Sequence, residues 1–255
     1  MAASAGEFTW YELMTTDMSA ARRFYSDVVG WAVRDVSRPE MSYFLFEAGG
    51  VPACGLMDLP EPGIPPGFFG YVAVDDVDAT TEKARALGAT IHKEPTEIPG
   101  VGRFAVLADP QGAAFGIHQW SEPATAPSPA LMSPGRMSWH ELTTTDWKAG
   151  FDFYGELFGW QKSDAIDMGP IGTYQLFTGP GGGDAIGGMF NKPPEIPGTF
   201  WLYYIGVPAI DPAVEKIRTG GGQIVNGPME VPGGAWIVQG LDPQGAMFAL
   251  VGMRG

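Results

Sequence analysis

WYELMTTDMSAARRFYSDVVGW, running from Trp10 to Trp31, returns as WHELTTTDWKAGFDFYGELFGW from Trp139 to Trp160, 129 residues later. A second echo pairs EIPGVGRFAVLADPQGAAF from Glu97 with EVPGGAWIVQGLDPQGAMF from Glu230, now 133 residues later. An internal repeat of this length makes the chain two copies of one module. The four-residue difference places an insertion in copy two, read at Gly179 to Gly188, where GPGGGDAIGG replaces the shorter turn at Gly49 and Gly50. A glycine run can cradle phosphate only ahead of a helix N-terminus, and strand-like AIGGMF follows here, so a hairpin loop is the expectation. Between the copies SEPATAPSPALMSPG is rich in Pro, Ser and Ala, which marks an extended connector. The expected division is module 1 at 1–120, linker at 121–135 and module 2 at 136–255.

Each quoted stretch begins as a strand and becomes a helix. Phe8 to Leu13 reads as extended, Thr16 or Asp17 suits a helix N-cap, and Ala21, Phe24, Tyr25 and Val28 recur at helical spacing. Gly30 suits the helix end, and strands follow at about 42–48 and 51–57. The pattern restarts with strand 69–74, Asp76 as cap and helix 77–87 ending at Gly88. Three strands follow at 90–94, 103–108 and 113–119, the last two joined by Asp109-Pro110-Gln111-Gly112, a type I turn sequence. Copy two repeats this order, with Pro212 opening a helix that carries Val214 and Ile217. The expectation is an α+β protein of four βαβββ units whose mixed sheets curl into two cups, with helices on the convex faces.

Composition agrees and excludes other classes. The 37 glycines and 23 prolines demand many turns. A net charge of −14 repels phosphate backbones and anionic lipid, so neither nucleic acid nor membrane is an expected partner. The one cysteine, Cys54, permits no internal disulfide. With no basic, apolar leader in MAASAGEFTW and no long apolar run, the expected location is the cytoplasm.

The helix motif FYxxxxGW, the hairpin motif DPxG before the last strand and their duplication resemble the vicinal-oxygen-chelate superfamily of glyoxalases, bleomycin-resistance proteins and extradiol dioxygenases. WxELxTTD with FYxxxxGW resembles its tandem, glyoxalase-like members. The resemblance implies a concave sheet that binds a small organic molecule. In metal-dependent members it also implies His, Gln or Glu ligands on the first, fourth, fifth and eighth strands. The first-strand position falls here on Trp10 and Trp139, the fifth on Phe69 and Leu202, and the eighth on Gly116 and Ala249. None of these binds a cation, so no cofactor is expected there.

Residues two apart on a strand share a face. Glu12 therefore joins Trp10, Tyr71 joins Phe69, and His118 joins Gly116, which makes Glu12 and His118 the candidate catalytic pair. Copy two keeps Glu141 and Tyr204 but has Val251 in place of the histidine, so copy one is the better candidate. Trp10, Phe69, Tyr71, Trp139, Glu141, Tyr204 and, at the rim, Arg103 are the candidate pocket residues, with Trp201 a further stacking surface. The bland alternative gives Glu12 and Glu141 a structural role and lets the aromatics fill a core. His140 is out of phase and faces away, and His92 lies at a surface or edge.

Three functions stay open. The first is a metal-free protein that binds or transforms a small organic molecule. The second is a metal-dependent glyoxalase-like lyase or detoxification enzyme acting on a small carbonyl compound through a shifted Glu12/His118 site. The third is a pseudo-dimeric scaffold without ligand. The chain can be a monomer, as an internal pseudo-dimer, or a homodimer, and each cup can form within a copy or by exchange between copies.

Overall fold

The computed structural model describes residues 5–121 and 132–255; most of the expected linker lies outside them. Four βαβββ motifs follow one another. The first comprises β1 (Phe8–Thr15), α1 (Met18–Val28), β2 (Ala32–Asp35), β3 (Phe44–Ala48) and β4 (Val51–Asp58). The second comprises β5 (Gly67–Ala73), α2 (Val77–Ala86), β6 (Thr90–Ile98), β7 (Gly102–Ala108) and β8 (Ala114–Trp120). Copy two begins with β9 (Met137–Thr144), α3 (Trp147–Phe158), β10 (Gln161–Asp167), a short 3-10 turn at Gly169–Ile171, β11 (Thr173–Thr178) and β12 (Gly187–Asn191). It ends with β13 (Phe200–Ala209), α4 (Ile210–Thr219), β14 (Gln223–Glu230), β15 (Trp236–Leu241) and β16 (Met247–Met253). Among the described residues no helix is long and apolar enough to cross a membrane.

In every motif the first strand pairs in parallel with the last, and the remaining strands return antiparallel. The sheet orders are thus β1-β4-β3-β2, β5-β8-β7-β6, β9-β12-β11-β10 and β13-β16-β15-β14. A parallel neighbour needs a crossover, which the helix supplies. Asp17, Asp76 and Asp146 cap α1, α2 and α3 by accepting from backbone N–H groups of the first turn. Gly159 closes α3 at φ 76°, in the left-handed region. The stripe Ala21, Phe24, Tyr25 and Val28 is buried as its spacing predicts.

Two local expectations change. The four extra residues of copy two are not all in the glycine loop. Tyr43 and Phe46 match Tyr174 and Phe177 at a spacing of 131, and Gly55 matches Gly188 at 133. Two residues therefore enter before β11, beside the 3-10 turn, and two in the loop before β12; a hairpin absorbs extra residues wherever its connection is exposed. The strand expected to stop at Glu94 continues to Ile98 as β6. Pro95 is tolerated because the register shifts between Lys93 and Thr96, a bulge on a strand that pairs only with β7 in its motif.

The chain gathers into two compact units that do not follow the copies. One holds the described residues of Met1–Thr9, Gly70–Ser128 and His140–Trp201; the other holds Trp10–Phe69, the described residues of Pro129–Trp139, and Leu202–Gly255. Each unit thus combines one half of each copy. In the unit containing α1, Tyr25 is fully buried and donates to Asp242 at 3.1 Å, and Phe24 packs edge-on against Phe248 at 5.7 Å. In the other unit Tyr154 of α3 donates to Asp109 at 3.1 Å, while Phe153, Tyr154 and Phe158 surround Phe115. The tyrosine of each copy's FY pair is therefore held by the DPQG turn of the other copy. Fully burying one such large side chain contributes about 1.5–3 kcal/mol.

Candidate functional site

Phe46 lies against Tyr25 and Trp31, and Leu13 pairs with Leu56, so these side chains mark the helix-bearing face of the first sheet. Glu12 is in register with Gly55 on the opposite face. There the Tyr43 hydroxyl donates to Glu12 Oε1 at 2.7 Å and receives the Trp10 indole N–H at 3.3 Å. Burial first, then the Glu12 carboxylate, pushes the Tyr43 phenol well up, so it remains a proton donor. Gly55 leaves room for this pair, since a Cβ there would meet the Tyr43 hydroxyl oxygen at 2.0 Å and displace it.

Copy two repeats the arrangement. Glu141 is in register with Gly188, and the Tyr174 hydroxyl donates to Glu141 Oε2 at 3.0 Å. A Cβ on Gly188 would meet Tyr174 Cε1 at 2.1 Å. Tyr43 and Tyr174 escaped the reading of the sequence. Their signal was present, because SYFLF and TYQLF precede matching glycines in both copies. Gly188→Ala is expected to cost about 1–3 kcal/mol through overpacking and to displace the phenol from Glu141. Urea unfolding checks this: adding Tyr174→Ala should recover part of the loss, and strict additivity of the two substitutions would speak against the cradle.

His118 belongs to the compact unit that does not contain Glu12. On the second sheet Tyr71 is in register with Gly116, whose missing side chain leaves room for the ring: a Cβ would meet Tyr71 Cδ1 at 2.1 Å. His118 follows on the same face, 5% exposed, opposite Phe104 and edge-on to Trp120 with centroids 3.9 Å apart. Burial lowers its pKa to about 4, so the imidazole is neutral at ordinary pH. Tyr204 occupies the matching place in copy two, opposite Ala249, and its hydroxyl receives the Gln239 amide at 2.7 Å.

Arg103 points elsewhere. It alternates with Phe104 and makes two bonds to Asp78 of α2, at 2.7 and 2.8 Å, on the helix-bearing side. Phe69 is buried on β5, and Trp139 is half-buried on β9. Trp201 is committed to packing, with its indole N–H on the Tyr154 hydroxyl at 2.9 Å. His140 stacks on Phe8 at 4.2 Å and its Nδ1 meets the Ile186 carbonyl at 2.6 Å. His92 is exposed on β6. Cys54 is buried, and burial first, then Glu12, raises its thiol pKa, which disqualifies it as a nucleophile.

The metal implied by the family resemblance can be tested against these side chains. Trp10, Trp139, Phe69 and Leu202 offer carbon or an indole donor, and Gly116 and Ala249 offer no donor at all. Divalent cations need converging oxygen, imidazole or thiolate donors, so these six residues do not fit one. Among the described residues no three His, Cys, Asp or Glu side chains gather to hold a metal ion elsewhere.

A family model for the Glyoxalase/Bleomycin resistance protein/Dioxygenase superfamily matches residues 7–117 and 136–250. The chain belongs to that superfamily, as a tandem member. It is 30% identical to a Mycobacterium bovis protein named as a glyoxylase, CFP32, over 96% of this chain and 94% of that one. It is 29% identical to the anthracycline biosynthesis protein DnrV of Streptomyces peucetius, over 98% and 94%. A Mn(II)-bound glyoxalase from Novosphingobium aromaticivorans has a similar structure, with a TM-score of 0.67 at 18% identity, covering 97% of this chain and 82% of that one. A homoprotocatechuate 2,3-dioxygenase from Brevibacterium fuscum, solved with 3,4-dihydroxyphenylacetate, gives 0.65 at 15% identity over 100% and 82%. These likenesses bear out the α+β fold of four βαβββ motifs.

Proposed function

We propose that this protein binds a planar, hydroxyl-bearing organic molecule on the sheet faces turned away from the helices, and does so without a metal at the positions its superfamily uses. The supporting observation is the carboxylate–phenol pair over a glycine, Glu12–Tyr43 in one copy and Glu141–Tyr174 in the other. Beside Glu12 the half-exposed Trp10 supplies a flat apolar surface. The names of the two relatives from anthracycline biosynthesis favour a polycyclic aromatic ligand for this chain. The expected setting is the cytoplasm, with modules 1–120 and 136–255 in one chain acting as a monomer or homodimer.

The name of the mycobacterial relative favours a second reading. In it the chain is a glyoxalase-like lyase for a small carbonyl compound, with Glu12 or His118 as base. Thermal shift with a hydroxyanthraquinone, a 2-oxoaldehyde and a cationic antibiotic separates the readings, with metal analysis of protein purified without added ions. The expected result is stabilisation by the hydroxyanthraquinone, reduced in Glu12→Ala and lost when Glu141→Ala is added, and no stoichiometric metal. Bound metal lost in both Glu12→Ala and His118→Ala would overturn the proposal in favour of a shifted metal site. A flat response to every compound would overturn it in favour of a scaffold.

A further inference from the structure

His118 poses a question that the fold does not answer. Its Nδ1 is buried and has no hydrogen-bond partner among the described residues, although leaving such an atom unsatisfied costs about 1–3 kcal/mol. The fold does not require a histidine there, because copy two places Val251 at the matching position of β16. The surroundings are aromatic and lie within one compact unit. Tyr71 leans on Gly116, Phe104 meets Tyr71 edge-on at 6.3 Å and sits opposite His118, and Trp120 meets the imidazole edge-on at 3.9 Å. An imidazole with one orphaned nitrogen, set beside Trp120, opposite Phe104 and on the face that carries Tyr71, has the composition of a small-molecule subsite, apolar walls with one orienting group.

We propose that Tyr71, Phe104, Trp120 and His118 form an aromatic subsite in which His118 Nδ1 reads a hydroxyl group on a flat ring. With its proton on Nε2 the neutral imidazole presents Nδ1 as an acceptor, which a hydroxyl satisfies by donating to it and an ether cannot. A neutral imidazole is the form suited to this task, and burial keeps His118 neutral above a pKa of about 4. The subsite deepens the reading of the protein as a binder of hydroxyl-bearing planar molecules and rests on it.

A matched pair of probes tests it. Titration calorimetry with 2-naphthol and with 2-methoxynaphthalene, which has the same rings but no donor, is run on the unchanged protein and on His118→Val, the residue copy two carries. The unchanged protein should prefer 2-naphthol by about tenfold, the weight of one hydrogen bond. His118→Val should bind both compounds equally. A preference kept in His118→Val would overturn the subsite and leave the wider binding reading standing, the hydroxyl then being read elsewhere. Binding of neither compound by the unchanged protein would sink both. Imidazole nitrogen chemical shifts of the unchanged protein give a readout independent of any variant's folding: Nδ1 should move with 2-naphthol and stay with the methoxy compound, and the reverse or no movement counts against the proposal.

Discussion

Asp242→Ala is expected to lower the stability of the protein by about 3–5 kcal/mol, far more than a typical substitution. The carboxylate is 4% exposed and holds three groups at once: the backbone N–H groups of Gln244 and Ala246, each at 2.9 Å, and the Tyr25 hydroxyl at 3.1 Å. Alanine removes all three bonds and leaves a buried phenol without its acceptor, at about 1–3 kcal/mol for the orphaned group alone. Tyr25→Phe removes only one partner and should cost about 1 kcal/mol. Tyr154→Phe should cost more than Tyr25→Phe, because it also strands the Trp201 indole N–H. Urea midpoints at constant slope measure all three. An Asp242→Ala loss below 1 kcal/mol would show that the turn is held by its backbone alone.

Acid should weaken the fold well above the range in which ordinary carboxylates titrate. Burial depresses both His140 and His118 to about 4 from an ordinary 6.5. The unfolded chain therefore takes up these protons first, so their contribution is complete above pH 6.5 and is lost as pH falls toward 4. At about 1.4 kcal/mol per pH unit, His140 alone is worth about 3 kcal/mol, and His118 acts in the same direction. Asp109 and Asp242, whose carboxyl pKa values are raised by burial, act oppositely at the acid end, where protonation favours their folded form. His140→Phe keeps a ring against Phe8, and Ile186 keeps its backbone bond from residue 140 at 3.1 Å. Its unfolding free energy should vary between pH 6.5 and 4 by about 3 kcal/mol less than that of the unchanged protein. An unchanged slope would mean that His140 is not held neutral.

Features governed by neighbours along the chain were legible in the sequence. Asp17 and Asp76 cap the helices they precede, and the α1 stripe is buried residue for residue. Period-two alternation also placed Glu12 on the face of Trp10 and His118 on that of Gly116. What stayed hidden was the partner of each. Glu12 meets a tyrosine 31 residues away, and Arg103 an aspartate 25 residues away, through strand and helix placements that a linear pattern does not specify. The repeat compounds the ambiguity. Tyr25 and Tyr154 are equivalent, as are Asp109 and Asp242, so the letters alone allow either pairing; the structure selects separations of 217 and 45 residues.

That selection constrains the history of the chain. After a duplication, the two copies of a module are ordinarily at liberty to drift apart, one keeping the ancestral task while the other decays. Here the helix of each half leans on the turn of its sibling, so a lesion in one is felt by both. Divergence meets least resistance on faces not shared in this way, which is where His118 and Val251 differ.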